Sequence, residues 1–79
     1  MLKIKDNVDL KELIDLGFRQ AGNGGYFYET ATSLECIFVQ PNRHIYIETK
    51  STSYNAIVED LLYKLFDLIQ EGIIEKEDF

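Results

Sequence analysis

This chain cannot hold itself together by covalent staples. It has a single cysteine, Cys36, so neither an internal disulfide nor a site built from several thiolates can form. Proline occurs once and tryptophan not at all. No apolar run approaches the roughly 20 residues that a membrane-crossing helix needs. Nor does any segment follow the order of a secretory signal peptide. Bases are scarce as well: eight Lys and Arg stand against 14 Asp and Glu, for a net charge of −6. That balance argues against direct nucleic-acid binding, because phosphate contacts need clustered Lys and Arg. A lone thiol with no signal peptide and no membrane segment leads us to expect a cytoplasmic protein.

What is present belongs to a folded protein. The 79 residues are 46% hydrophobic and 13% aromatic, enough for one domain spanning 1–79 and too few for two. So short a chain buries only about 60–65% of the surface its unfolded form exposes, and modest stability is expected. The acidity is concentrated late. From Glu59 onward seven acids oppose only Lys64 and Lys76, a net −5, whereas the first 58 residues carry a net −1.

Hydrophobic periodicity divides the chain. Met1 to Lys5 alternates apolar and basic residues, as a short edge strand does. Asp9 can cap a two-turn helix with Glu12 at its third position, and Val8 can staple onto Leu13. Gly17 and Phe18 supply a Schellman ending. Alternation then predicts strands over 18–21, 26–31, 34–39 and 44–49, joined by the Gly22-Asn23-Gly24-Gly25 turn, Thr32-Ser33 and Pro41-Asn42. Ser51-Thr52-Ser53 offers caps for a long helix from Tyr54 to a stop at Gly72. Its apolar stripe comprises Ile57, Val58, Leu61, Leu62, Leu65, Phe66 and Ile69, with the acids opposite. Ile73-Ile74 can return as a strand or cap the core, and residues 75–79 should fray. The expected fold is α+β: a short N-terminal helix, a four-stranded antiparallel meander and a long C-terminal helix packed on one sheet face.

The glycine cluster invites a phosphate-loop reading and fails it. Gly17 and Gly22 have P-loop spacing, but Asn23 and Gly24 stand where lysine and a hydroxyl belong, and Phe27 replaces the last glycine of a dinucleotide loop. Both motifs also need a helix afterwards, and a strand follows. Asn-Gly between extended segments is instead a hairpin signal. Cys36 alternates with Leu34 and Phe38 and should point into the core. His44, beside Arg43, lies at a strand–loop boundary with no motif around it. Glu29, Glu35 and Glu48 recur at no metal-ligand spacing and suit solvent-facing strand positions. No catalytic residue, metal site or cofactor is therefore expected, and the protein is read as not an enzyme.

The aromatics remain. Tyr26 and Tyr28 share a strand face, with Tyr46 expected on the same side. Phe27, Cys36 or its neighbours, Ile45 and Ile47 would then lie under the helix, and the three tyrosines would line an exposed, partner-binding surface. The stretches KIKDNVDLKELIDLGF, HIYIETKS and LLYKLFDLIQEGIIEKED resemble small uncharacterised proteins encoded by phages and prophages of low-GC Gram-positive bacteria. That resemblance implies a cytoplasmic accessory protein, in the host cell if phage-encoded, that acts by binding a protein partner, with a homodimer as one form. An alternative is an acidic DNA mimic of the antirestriction or anti-CRISPR kind, presenting Glu59, Asp60, Asp67 and Glu71 to a nucleic-acid-binding protein; a small enzyme or nucleotide binder ranks third.

Overall fold

Between Val8 and Phe18 the backbone winds in tight turns. The Asp9 carboxylate accepts the Lys11 amide at 3.0 Å, and the amides of Glu12, Leu13 and Ile14 each bond the carbonyl three residues back. A computed structural model describes residues 1–30, 35–49 and 59–77. Within 8–18 only Glu12–Asp15 (α1) is α-helical, shorter than the expected two turns. The turn's ending follows the expectation: Phe18 and Gly17 donate to the carbonyls of Leu13 and Ile14, with Gly17 at φ 93°.

The sheet comprises β2 (Arg19–Gln20), β3 (Tyr26–Glu29), β4 (Glu35–Val39) and β5 (Ile45–Thr49), antiparallel and in that spatial order. β1 (Leu2–Ile4) and β6 (Ile74–Lys76) form a separate antiparallel pair that joins the two ends of the chain. Residues 75 and 76 thus belong to a strand rather than fraying. α2 spans Glu59–Gln70 and stops before Gly72, which adopts φ 70°. The caps expected at 51–53 and the helical start at Tyr54, with Ile57 and Val58, lie outside the described residues, as do Ala31, the 32–33 turn and Leu34.

Two hairpin loops of the sheet share one geometry. At Ala21–Gly25 the Gly24 amide bonds the Ala21 carbonyl, Ala21 bonds the Gly25 carbonyl, and Asn23 Oδ1 accepts the Gly25 amide. At Gln40–His44, Arg43 bonds Gln40, Gln40 bonds the His44 carbonyl, and Asn42 Oδ1 accepts the His44 amide. Both are three-residue loops, a tight turn followed by one left-handed residue. Gly24 takes that position at φ 90° and Arg43 at φ 78°. Arginine is strained there. Its guanidinium offsets the cost by donating to the carbonyls of Lys5 and Val8 at 2.7 and 2.6 Å, which ties the N-terminal segment to the sheet.

The core gathers Ile4, Leu13, Phe18, Tyr26, Ile37, Val39, Ile45, Leu61, Leu68 and Ile73. All described elements except β2 and β6 contribute to it, and Ile74 of β6 packs against it partly buried. α2 uses only part of its apolar surface here: Leu61 and Leu68 are buried, while Leu62, Phe66 and Ile69 stay exposed.

Candidate functional site

Strand register decides which side chains share a surface, because paired residues of an antiparallel ladder project from the same face. Tyr26 pairs with Val39 and Val39 with Ile45; Tyr28 pairs with Ile37 and Ile37 with Ile47. These residues make the inner face. Arg19 pairs with Phe27, Phe27 with Phe38 and Phe38 with Tyr46, so one row crosses all four strands on the other face. The next row there is Glu29, Cys36 and Glu48.

This register corrects the expected division of the tyrosines. Tyr26 is only 5% exposed and belongs to the core. Tyr28 lies on the same inner face, half-buried, with its ring 5.7 Å from that of Phe18 and the Lys64 ammonium 4.7 Å from its centroid. Of these three, only Tyr46 is largely exposed, at 41%, and it lies on the opposite face. Its neighbours are Phe27 and Phe38, whose rings lie 6.4 Å apart and tilted by 36°. The partly exposed aromatic surface therefore consists of Phe27, Phe38 and Tyr46.

Cys36 likewise projects from the outer face rather than into the core, half-buried between Glu29 and Glu48 in register. Glu35 moves the other way. It was expected at a solvent-facing position, yet it is buried and accepts a 2.9 Å hydrogen bond from the Thr30 hydroxyl. Such a bond lowers the cost of placing a carboxylate on the inner face.

Beside the aromatic row lies a crevice of about 390 Å³. Ala21, Phe38, Gln40, Tyr46 and Glu48 border it, with Asn23 from the glycine-rich turn and with Tyr26, Val39 and Ile47 of the other parity. Aromatic and aliphatic residues thus line it together with two amides and a carboxylate. That combination suits partner side chains, which need apolar contact and a few fixed polar anchors. Cys36 and His44 do not meet: the Phe38–Tyr46 row separates their positions, and His44 Nε2 is instead 2.5 Å from Glu77 Oε2. Among the described residues, no group of three or more His, Cys, Asp or Glu is arranged to hold a metal ion. No helix among them is long and apolar enough to cross a membrane.

The acids of α2 take a different surface. Asp60, Asp67 and Glu71 are exposed, and none of the ion pairs among the described residues engages them. Lys64, the only base of α2, lies on the same side of the helix, with its ammonium donating to the Leu16 carbonyl at 2.7 Å. Glu59 is the first described residue of α2.

No protein-family model, curated protein or solved structure matches the chain.

The signal that could have exposed the Phe27–Phe38–Tyr46 row is the pairing of Ile45 and Ile47 with a tyrosine-containing parity. Both parities of β3 and β4 are apolar, so alternation by itself does not name the inner one.

Proposed function

We propose that the protein is a non-enzymatic interaction module that binds a protein partner through the outer face of its sheet. The observation that carries this reading is the Phe27–Phe38–Tyr46 row with its adjoining crevice. In this reading α2 packs across the inner face, after a short helical turn at the N-terminus, and leaves the outer face free. The proposed setting is the cytoplasm, and the proposed origin is phage or prophage; support for the origin is the sequence resemblance alone. Tyr46→Ala and Glu48→Lys alter exposed groups and should abolish recovery of the partner from host lysate without lowering the melting temperature. Recovery undiminished by both substitutions would rule this surface out.

A second reading rests on the exposed acids of α2. With Lys64 drawn off to Leu16, Asp60, Asp67 and Glu71 present uncompensated charge to a basic, nucleic-acid-binding partner, as a DNA mimic would. Such a complex should dissociate as salt rises and should fail with Asp60→Lys and Asp67→Lys. This reading rests on charge alone, which makes it the weaker of the two.

A further inference from the structure

We infer that the exposed flank of α2 is the seat of a second copy of this chain. Leu62, Phe66 and Ile69 are 60%, 56% and 63% exposed and form one apolar patch, of the size that is often functional on a monomer. They are spaced by four and then three residues, the spacing of the seam between paired helices. A helix is therefore the shape that fits them.

Charge placement favours a copy over a different partner. At 3.6 residues per turn, Asp60, Asp67 and Glu71 lie about 150° around the helix from this seam. Lys64 is on their side too, engaged with Leu16 and Tyr28. A basic partner docking on the seam would find three of the four acids at positions 59–71 on the far flank, with Glu59 alone beside it. Two chains of net charge −6 repel each other, and an antiparallel pairing centred on Phe66 keeps those three acids clear of the contact and sets the two Glu59 positions at its opposite ends. An antiparallel two-fold pairing sets the two Phe66 rings together and each Leu62 against the other copy's Ile69.

Area points the same way. The three side chains leave on the order of 350 Å² open per copy, so a pair with its flanking atoms would cover about 1,000 Å², the lower end of a specific interface. A weak, concentration-dependent dimer follows. The outer sheet face lies across the sheet from α2, so the dimer would display that face twice. The inference stands apart from the interaction-module reading and does not depend on it.

Sedimentation equilibrium of the full chain tests it. Between about 5 μM and 1 mM, the expected result is a monomer–dimer equilibrium with a dissociation constant on the order of 10–100 μM. Association should tighten as salt screens the like charges. Leu62→Glu and Ile69→Lys should each weaken it at least tenfold, with circular dichroism and melting temperature unchanged because both sites are exposed. Asp67→Lys, on the far flank, should not loosen the dimer. A monomer throughout the range, a dimer indifferent to both seam substitutions, or one that dissociates as salt rises would each overturn the inference.

Discussion

Gly25 is buried where the first hairpin turns toward β4. A Cβ built there would sit 2.5 Å from the Val39 carbonyl oxygen and 3.2 Å from Asn23 Oδ1. Backbone atoms cannot yield as a flexible side chain can, so Gly25→Ala should cost about 2 kcal/mol or more. Gly22, in the same turn, has nothing within 4 Å of its would-be Cβ and no positive φ. Gly22→Ala should accordingly be neutral, or stabilise slightly through the unfolded state. Urea denaturation of the two variants checks both, and equal losses would refute the close-approach argument. The sequence identified this stretch as a turn, yet it did not distinguish these glycines. Only the nearness of β4, brought in by a later pairing, separates them.

At the scale of elements, Lys64 joins α2 to the end of α1. Its ammonium donates to the Leu16 carbonyl, at the helix terminus where backbone oxygens lack intrahelical partners, and lies over the Tyr28 ring. Lys64→Met keeps the aliphatic stem and removes both interactions. We expect a loss of about 1–2 kcal/mol, read as a melting temperature lower by about 4–8 °C per kcal/mol in a domain of this size. An unchanged melting curve would show that solvent replaces these contacts fully. The two matched hairpins make a related point. Asn-Gly announces the first loop, whereas Pro41-Asn42-Arg43 reaches the same backbone path with an arginine in the left-handed position. The carbonyls of Lys5 and Val8 that hold that arginine are more than 30 residues away in sequence, beyond the reach of any local pattern.

Across the whole molecule, the β1–β6 pair closes the chain end to end. Glu77 donates its amide to the Met1 carbonyl, and Lys3 lies opposite Glu75. Lys3 also hydrogen-bonds the Asp6 carboxylate at 2.9 Å, which holds that carboxyl below its ordinary pKa and the ammonium above its own. A lowered carboxyl contributes stability above its unfolded pKa and loses it as pH falls through the folded value. A raised ammonium contributes below its unfolded pKa and loses it as pH rises through the folded value. The pair therefore acts across neutral pH and fades toward both extremes. Asp6→Asn should lower stability slightly at neutral pH and flatten the acid limb, as seen in denaturant titrations from about pH 7 down to about pH 3. An acid limb as steep as the parent's would show that other carboxylates account for it.

The sequence by itself determined the meander, the turn that ends at Gly17, the stop of α2 at Gly72 and the structural role of the glycine cluster. Each rests on local rules, caps, periods and turn residues, that act over a few positions. Tertiary structure alone decided which parity of the sheet faces inward, because Tyr26-Phe27-Tyr28 and Cys36-Ile37-Phe38 are apolar on both sides. Register with Ile45 and Ile47 placed Tyr26 in the core and left Phe27, Phe38 and Tyr46 outside. Tertiary structure likewise decided how much of the α2 stripe is used. A helix can state in sequence that one side is apolar, but only the surface it meets fixes how wide a strip is covered. Here Leu61 and Leu68 are buried and Leu62, Phe66 and Ile69 remain exposed.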